Sequence, residues 1–385
     1  MTPFRPGVDS ANIGFDKKGH GIMPTLSLIV PCYNEETTLS DCVERILILK
    51  QQGINLEIII VDDCSKDKSC EIAVQLAEKF AEVRLLRHQS NRGKGAAIRT
   101  GLLEATGEYI GIQDADLEYD PLQYRNLLRI MHEKNADVVY GSRYLRPSQA
   151  RRVLYFWHSW MNKTLTFVSN MFTNLDLTDM ETCYKLFKRE IVQNIAPSLK
   201  EDRFGFEPEI TAKIALSCVR VYECAISYNP RSYEEGKKIG WKDGVRALYC
   251  IMHYSAHRAP LPMQILLYFF IGAAAALANI GCFIGLLTIG IYTGTAIASA
   301  FVFAAAVNYL LCIAILFRHK AYWSTTGELI AYFAVVTTMG LFDYTATTWL
   351  LALGIYPFWA KIWPTLLGFA GNFILRRWLV FREKL

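Results

Sequence analysis

What most constrains this chain is its C-terminal part. Beyond residue 262 charged side chains nearly vanish, and four stretches, 263–287, 293–317, 327–352 and 358–381, are each apolar over the roughly 20 residues that cross a bilayer's hydrocarbon core. Backbone amides in lipid have no water to bond, so such stretches close their own hydrogen bonds as α-helices. Phe269 and Phe333, Gly290 and Gly354, Tyr292 and Tyr356, Asn308 and Asn372, and Phe317 and Phe381 all stand 64 positions apart. That offset predicts a duplicated helical hairpin. Arg258, Arg318, His319, Lys320, Arg382 and Lys384 collect on one side of the spans, against little beyond Lys361 on the other. Positive charge stays inside, so the expectation is a multi-pass protein of the plasma membrane with the N-terminal domain and the C-terminus in the cytosol. Asp343, Arg376, Arg377, Asn279, Asn308 and Asn372 add polar atoms to the spans, either as hydrogen-bonding glue between helices or, for the two arginines, as contacts to a lipid phosphate. Small residues at 272–276 and 304–306 would allow a homo-oligomer through the spans.

The N-terminal part reads differently. Short β-rich runs at 26–30, 57–61, 83–86, 109–112 and 137–140 alternate with helix-period stretches at 37–52, 68–80, 94–105 and 121–134. This alternation predicts an α/β fold with a mostly parallel, Rossmann-like sheet covered by helices on both faces, and ligands at the carboxyl ends of its strands. The expected organisation is a mobile tail over 1–23, the α/β domain over 24–238, an amphipathic interfacial helix over 239–260 and a four-helix membrane domain over 261–385. The tail has no apolar run and predicts neither a signal peptide nor an anchor. A second aromatic-rich helix, 151–174, would lie on the membrane surface or pack on the sheet.

Ten cysteines occur without C-x-x-C or His-paired spacing, which points to a reduced domain using them as small apolar residues. The net charge of +5 is modest and forms no basic stripe, so nucleic acid is not an expected partner, whereas a lipid bilayer is.

Four motifs stand at predicted strand ends. Pro31-Cys32-Tyr33-Asn34-Glu35 is by itself only a strand-to-helix turn, and Val61-Asp62-Asp63-Cys64-Ser65 by itself only a helix cap. On neighbouring strands they would make a nucleoside pocket. Asn91-Arg92-Gly93-Lys94-Gly95 sets cations and glycines at a helix start, where backbone can approach a phosphate, but it lacks the Walker spacing of kinases and ATPases. In Asp114-Ala115-Asp116-Leu117-Glu118, carboxylates at alternating positions past a strand can hold one hard divalent cation.

Taken in order, these motifs and the strand end Gly141-Ser142-Arg143 resemble the family 2 glycosyltransferases with a GT-A fold, in particular the dolichol-phosphate mannose synthase branch, and the spans resemble the GtrA-type membrane domain. The resemblance implies an inverting, metal-dependent hexosyltransferase taking a sugar from a GDP-mannose or UDP-glucose type donor to a polyprenyl phosphate, dolichyl or undecaprenyl, at the cytosolic face. It implies that Pro31, Tyr33, Glu35, Val61 and Asp63 line the nucleoside, that Lys94, Asp114 and Ala115 meet the donor, and that Asp114, Asp116 and Glu118 hold Mg²⁺ or Mn²⁺. Glu118 departs from the Gln often found there. Arg143 would meet phosphate, and Arg231 and Lys237 would close a loop over the diphosphate. Asp116, Arg143 and Asp179 are the candidate catalytic residues, with Asp179 or Glu181 as a base where the acceptor needs one. Two other readings are a processive polysaccharide synthase and a transport or flippase module. The first expects Q-x-x-R-W, of which 374–378 lacks the Gln, and the second expects broken helices around a midplane charge cluster, which the spans do not have.

Overall fold

A computed structural model describes residues 25–145, 153, 155–229, 241–317 and 325–381. Strands β1 (Thr25–Cys32), β2 (Asn55–Asp62), β3 (Val83–Arg87), β4 (Tyr109–Ile112) and β5 (Val138–Ser142) follow the β-rich runs, and helices α1 (Leu39–Gln51), α2 (Ser69–Lys79), α3 (Lys94–Glu104) and α4 (Tyr124–Glu133) follow the helix-period stretches. Two further strands, β6 (Lys185–Lys188) and β7 (Val221–Ala225), complete a seven-stranded sheet of order β3-β2-β1-β4-β6-β5-β7. Only β6 runs antiparallel to its neighbours. The chain winds outward from β1 to β3 and then returns to β1's other edge as β4, pairing Ile29 with Ile112. That reversal opens a crevice at the carboxyl ends of β1 and β4.

Side chains alternate across the sheet. Leu28, Val30, Ile58 and Ile60 face one core with α1 and α4 residues such as Ile46 and Leu127. Ile29, Ile59 and Val61 face the other, which takes in Leu165 and Phe172 of α5 (Phe156–Thr173), Val192 of α6 (Arg189–Ile195), Ile210 of α7 (Phe206–Leu216) and Ile251 of α8 (Trp241–Ser255). This second core does not stop at the domain edge. It continues through Met263 and Leu267 of α9 (Leu261–Thr288) to residues of α10 (Thr293–Leu311), α11 (Thr325–Ala352) and α12 (Pro357–Leu375).

Among the described residues three helical segments are long and apolar enough to cross a membrane: Leu261–Thr288, Thr293–Phe317 and Thr326–Ala352. The stretch expected as a fourth span contains α12, a helix of 19 residues with Lys361, Pro364 and Asn372 in its run, and is not among these three. The duplication is visible in detail. π-helical turns end α10 (Cys312–Phe317) and α12 (Arg376–Val380), while Gly290 and Gly354, at φ +83° and +76°, make the reversals between paired helices. Phe317 stacks on Phe381, its counterpart 64 positions on, with centroids 4.5 Å apart.

Helix α8 is more than a surface helix. Ala247, Cys250 and Ile251 are buried against the domain, and the Arg246 guanidinium grips Glu201 through Nη2 at 2.8 and 2.9 Å. Val245, Leu248 and Tyr249 remain exposed, as do Phe156, Trp157 and Trp160 on the neighbouring α5.

Candidate active site

The first two motifs form a single rim. Asn34 and Cys64 both take left-handed backbone, φ +57° and +61°, which turns each loop sharply off its strand. The loops are then stitched together: Asn34 N–H donates to Ser65 Oγ (3.1 Å), Lys66 N–H to Asn34 Oδ1 (2.8 Å) and Glu35 N–H to Ser69 Oγ (2.7 Å). Pro31 and Val61 are register partners, Tyr33 is half-buried, and Glu35 accepts from Thr38 Oγ1 at 2.9 Å. Beside this rim lies a cavity of about 350 Å³ lined by Asp62, Cys64, Ser65, Arg87, His88 and Gln89. Sequence reasoning missed Arg87, His88 and Gln89. Their signal was their position at or just past the carboxyl end of β3.

Asp63 is turned inward. Its carboxylate accepts from Arg92 N–H (2.9 Å) and Gly93 N–H (2.7 Å) and lies 2.7 Å from His88 Nδ1. Expected beside a nucleoside, Asp63 is engaged by these bonds in the fold. Asp63 ties the end of β2 to the glycine loop, and neighbouring Asp62 lines the cavity.

The glycines too have a different reason. A Cβ on Gly93, where φ is +102°, would meet the Asp202 carbonyl oxygen at 2.4 Å, and one on Gly95 would meet that of Glu201 at 2.4 Å. The space they leave is filled by the 201–203 backbone. Lys94, between them, reaches Asp114 Oδ1 at 2.8 Å and Cys183 Sγ at 2.8 Å. Burial is the largest influence on each group and favours its neutral form, but Asp114, Cys183 and Glu207 together hold Lys94 well above its ordinary pKa, and Lys94, Cys183 and Lys185 together lower that of Asp114.

In the acidic turn, Leu117 adopts φ +59°, and Asp116 Oδ1 accepts from Glu118 N–H at 3.2 Å. Tyr228 OH donates to Glu118 Oε2 at 2.8 Å, and Asn229 N–H to the Glu118 carbonyl at 2.9 Å. Ala115 is buried between the acids. Among the described residues no three His, Cys, Asp or Glu side chains gather closely enough to hold a cation. Of the three carboxylates expected from the sequence, Asp114 pairs with Lys94 in this structure. Asp116 and Glu118 supply hard oxygen donors on one reversed turn, a chemistry that fits Mg²⁺ or Mn²⁺ completed by oxygens from elsewhere.

At the end of β5, Arg143 clamps Asp179 side-on, with Nε to Oδ2 and Nη2 to Oδ1 both at 2.7 Å, and its guanidinium lies 5.2 Å from the Tyr228 ring centroid. Asp179 is fully buried with both oxygens engaged. It therefore orients Arg143 and is poorly suited to remove a proton. Glu181 differs: its Oε1 is buried without a hydrogen-bond partner among the described residues, and burial together with Glu207 pushes its pKa up to about 8. Cys183, Glu207 and Tyr228 were not singled out from the sequence, and only the fold brings them beside Lys94, Glu181 and Glu118. Arg231 and Lys237 lie outside the described residues.

With this geometry established, known proteins can be compared. Residues 27–196 match Glycosyl transferase family 2, and residues 267–381 match the GtrA/DPMS transmembrane domain. The chain is similar to a dolichyl-phosphate beta-glucosyltransferase of Dictyostelium discoideum, 32% identical over 219 residues, which is 53% of this chain and 66% of that protein. It thus spans just under two thirds of that relative's length. It is also similar to a dolichol-phosphate mannosyltransferase of Pyrococcus furiosus, 24% identical over 356 residues, covering 91% of this chain and 98% of the relative. Among solved structures, glucosyl-3-phosphoglycerate synthase from Mycobacterium tuberculosis with Mn²⁺, uridine diphosphate and phosphoglyceric acid superposes with a TM-score of 0.47 at 16% identity, covering 62% of this chain and 80% of that one.

Proposed function

Because this chain joins a family 2 glycosyltransferase domain to a GtrA/DPMS-type transmembrane domain, we propose that it transfers a hexose from a nucleotide-sugar to a polyprenyl phosphate at the membrane surface. The observation that carries this reading is the position of the Asp116–Glu118 turn. It stands at the switch-point crevice of a domain whose core runs without a break into membrane helices. The relatives named above act on dolichyl or dolichol phosphate, in keeping with a lipid acceptor.

The nucleoside would enter the cavity at Asp62, His88 and Gln89, with Tyr33 and Glu35 on its rim. Asp116 and Glu118 would hold the divalent cation, which when bound neutralises charge growing on the diphosphate leaving group. Arg143, fixed by Asp179, offers a positioned cation to an anionic oxygen. A lipid phosphate is already ionised and attacks without a base, so Glu181 would hold a proton instead of removing one. The exposed aromatics of α5 and Val245, Leu248 and Tyr249 of α8 suit the headgroup layer, where they would lay the crevice against the bilayer. With α12 as a fourth span and positive charge inside, the transferase domain is cytosolic.

The test is release of nucleoside diphosphate by the purified full chain in detergent, with GDP-mannose, UDP-glucose or UDP-N-acetyl sugars, with and without polyprenyl phosphate. Release that needs both the lipid phosphate and Asp116 supports the reading. Polymer formed without lipid phosphate, or no turnover with any donor, would overturn it.

A further inference from the structure

The transmembrane domain carries a charge that the transfer reaction does not use. Arg376 is only 5% exposed, and an arginine in a bilayer keeps its charge at high cost unless something compensates it. Its partners here are neutral. Nη1 donates to Asn308 Oδ1 at 2.5 Å, and the guanidinium lies 4.4 Å from the Tyr332 ring centroid and 5.6 Å from that of Tyr268. Its Nε is buried without a hydrogen-bond partner among the described residues. A residue serving only as glue between helices would leave no donor over.

Arg376 lines a cavity of about 180 Å³ between α9, α10 and α11. Neighbouring Arg377 donates to Gln264, one turn into α9, so this end of the cavity lies near the end of the membrane helices. On α9 the lining runs from Ala275 through Ala276 to Asn279, about 6 Å at 1.5 Å per residue, and faces Ala304 and Ala305 of α10. Half-exposed Phe301 also lines it. The cavity thus has a cationic end near the surface and a mostly small, apolar wall leading toward the bilayer centre.

We propose that this cavity binds a lipid whose phosphate pairs with Arg376 and whose chain follows the Ala276–Ala304 wall. The polarity fits a phosphate-headed amphiphile in its natural orientation, and a phosphate oxygen supplies the missing counter-charge to the guanidinium. The site is distinct from the transfer crevice, and occupancy requires no nucleotide-sugar.

The test uses the full chain in neutral detergent without any sugar donor. It is photolabelled with tail-diazirine forms of phosphatidylglycerol, undecaprenyl phosphate, or uncharged undecaprenol, and adducts in the segment 268–310 are counted by mass spectrometry. The two phosphate lipids should label this segment and undecaprenol should not. Arg376→Gln should cut labelling about ten-fold, the equivalent of one charge-assisted hydrogen bond, and Ala276→Phe should do the same while leaving the cation in position. Competition between the two phosphate lipids identifies which is preferred, and inorganic phosphate should not compete. Labelling unchanged in Ala276→Phe, equal labelling by undecaprenol, or displacement by inorganic phosphate alone would each overturn the proposal. Since no transfer is measured, failure of the catalytic reading would leave this result intact.

Discussion

Arg143 and Asp179 meet edge to edge, each nitrogen of the fork 2.7 Å from a different carboxylate oxygen, with the Arg143 backbone N–H adding a third bond at 3.0 Å. Both groups are buried, so removing one strands the other's charge. Asp179→Ala should cost about 3–5 kcal/mol of stability, whereas the double change Arg143→Met with Asp179→Leu should recover most of that and no activity. Denaturant titration beside a transfer assay checks it. A double variant that regains turnover would show that Arg143 has no part in the reaction.

Asp114 and Asp116 are two positions apart and should behave differently. Asp116→Asn should lower turnover by about a hundred-fold or more with little change in stability, and EDTA should mimic it in the unaltered protein until Mn²⁺ or Mg²⁺ is restored. Asp114→Asn should also lower the melting temperature, because it leaves the Lys94 ammonium without its carboxylate. Equal melting temperatures for the two variants would contradict the division of labour seen in the acidic turn.

Gly93→Ala and Gly95→Ala should each cost about 1–3 kcal/mol, since the new methyl meets backbone oxygens that cannot swing away. Gly272→Ala is the control. Nothing lies within 4 Å of its Cβ, and alanine is the better helix residue, so its stability should hold or rise. Thermal melts of the three variants decide it.

Glu181 predicts a pH dependence. Below its model-peptide value of 4.5 the carboxyl is protonated whether the chain is folded or not. Between there and about 8 only the unfolded chain gives up the proton, so stability falls as pH rises through that window and levels off above it. Glu181→Gln should flatten this slope, matching the unaltered protein near pH 4.5 and exceeding it near pH 9. Parallel curves for the two proteins would mean that Glu181 is ionised in the fold.

The sequence made the five parallel strands, the four covering helices and the hairpin duplication legible, because alternation and helical period are written locally. Strands β6 and β7 escaped notice: β6 is only four residues, two of them lysines, with almost no alternation, and its antiparallel insertion is decided by distant partners. At the site, motif residues were found at the strand ends where they belong, but their contacts were not. Asp63 reads as a ligand-facing acid, and the sequence gives no sign of the bonds it makes to His88 and to the Arg92 and Gly93 amides. The glycines of the basic loop look like a phosphate cradle until the 201–203 segment, more than a hundred residues later, is found against them. Spacing along a chain reports what a residue is able to do, whereas burial and partners decide what it does.

The core beneath the second face of the sheet, which passes through α5, α7 and α8 into the membrane helices, also has a bearing on biosynthesis. The α/β domain leaves the ribosome first, and its second core is joined to the helices made last through α8 and the 256–258 turn. A chain cut near residue 260 would keep the cover that α5, α7 and α8 give the sheet but would lose the continuation of that core through Met263 and Leu267. For a protein of the proposed function, insertion of the membrane helices would complete that core at the same surface where a lipid acceptor would be found.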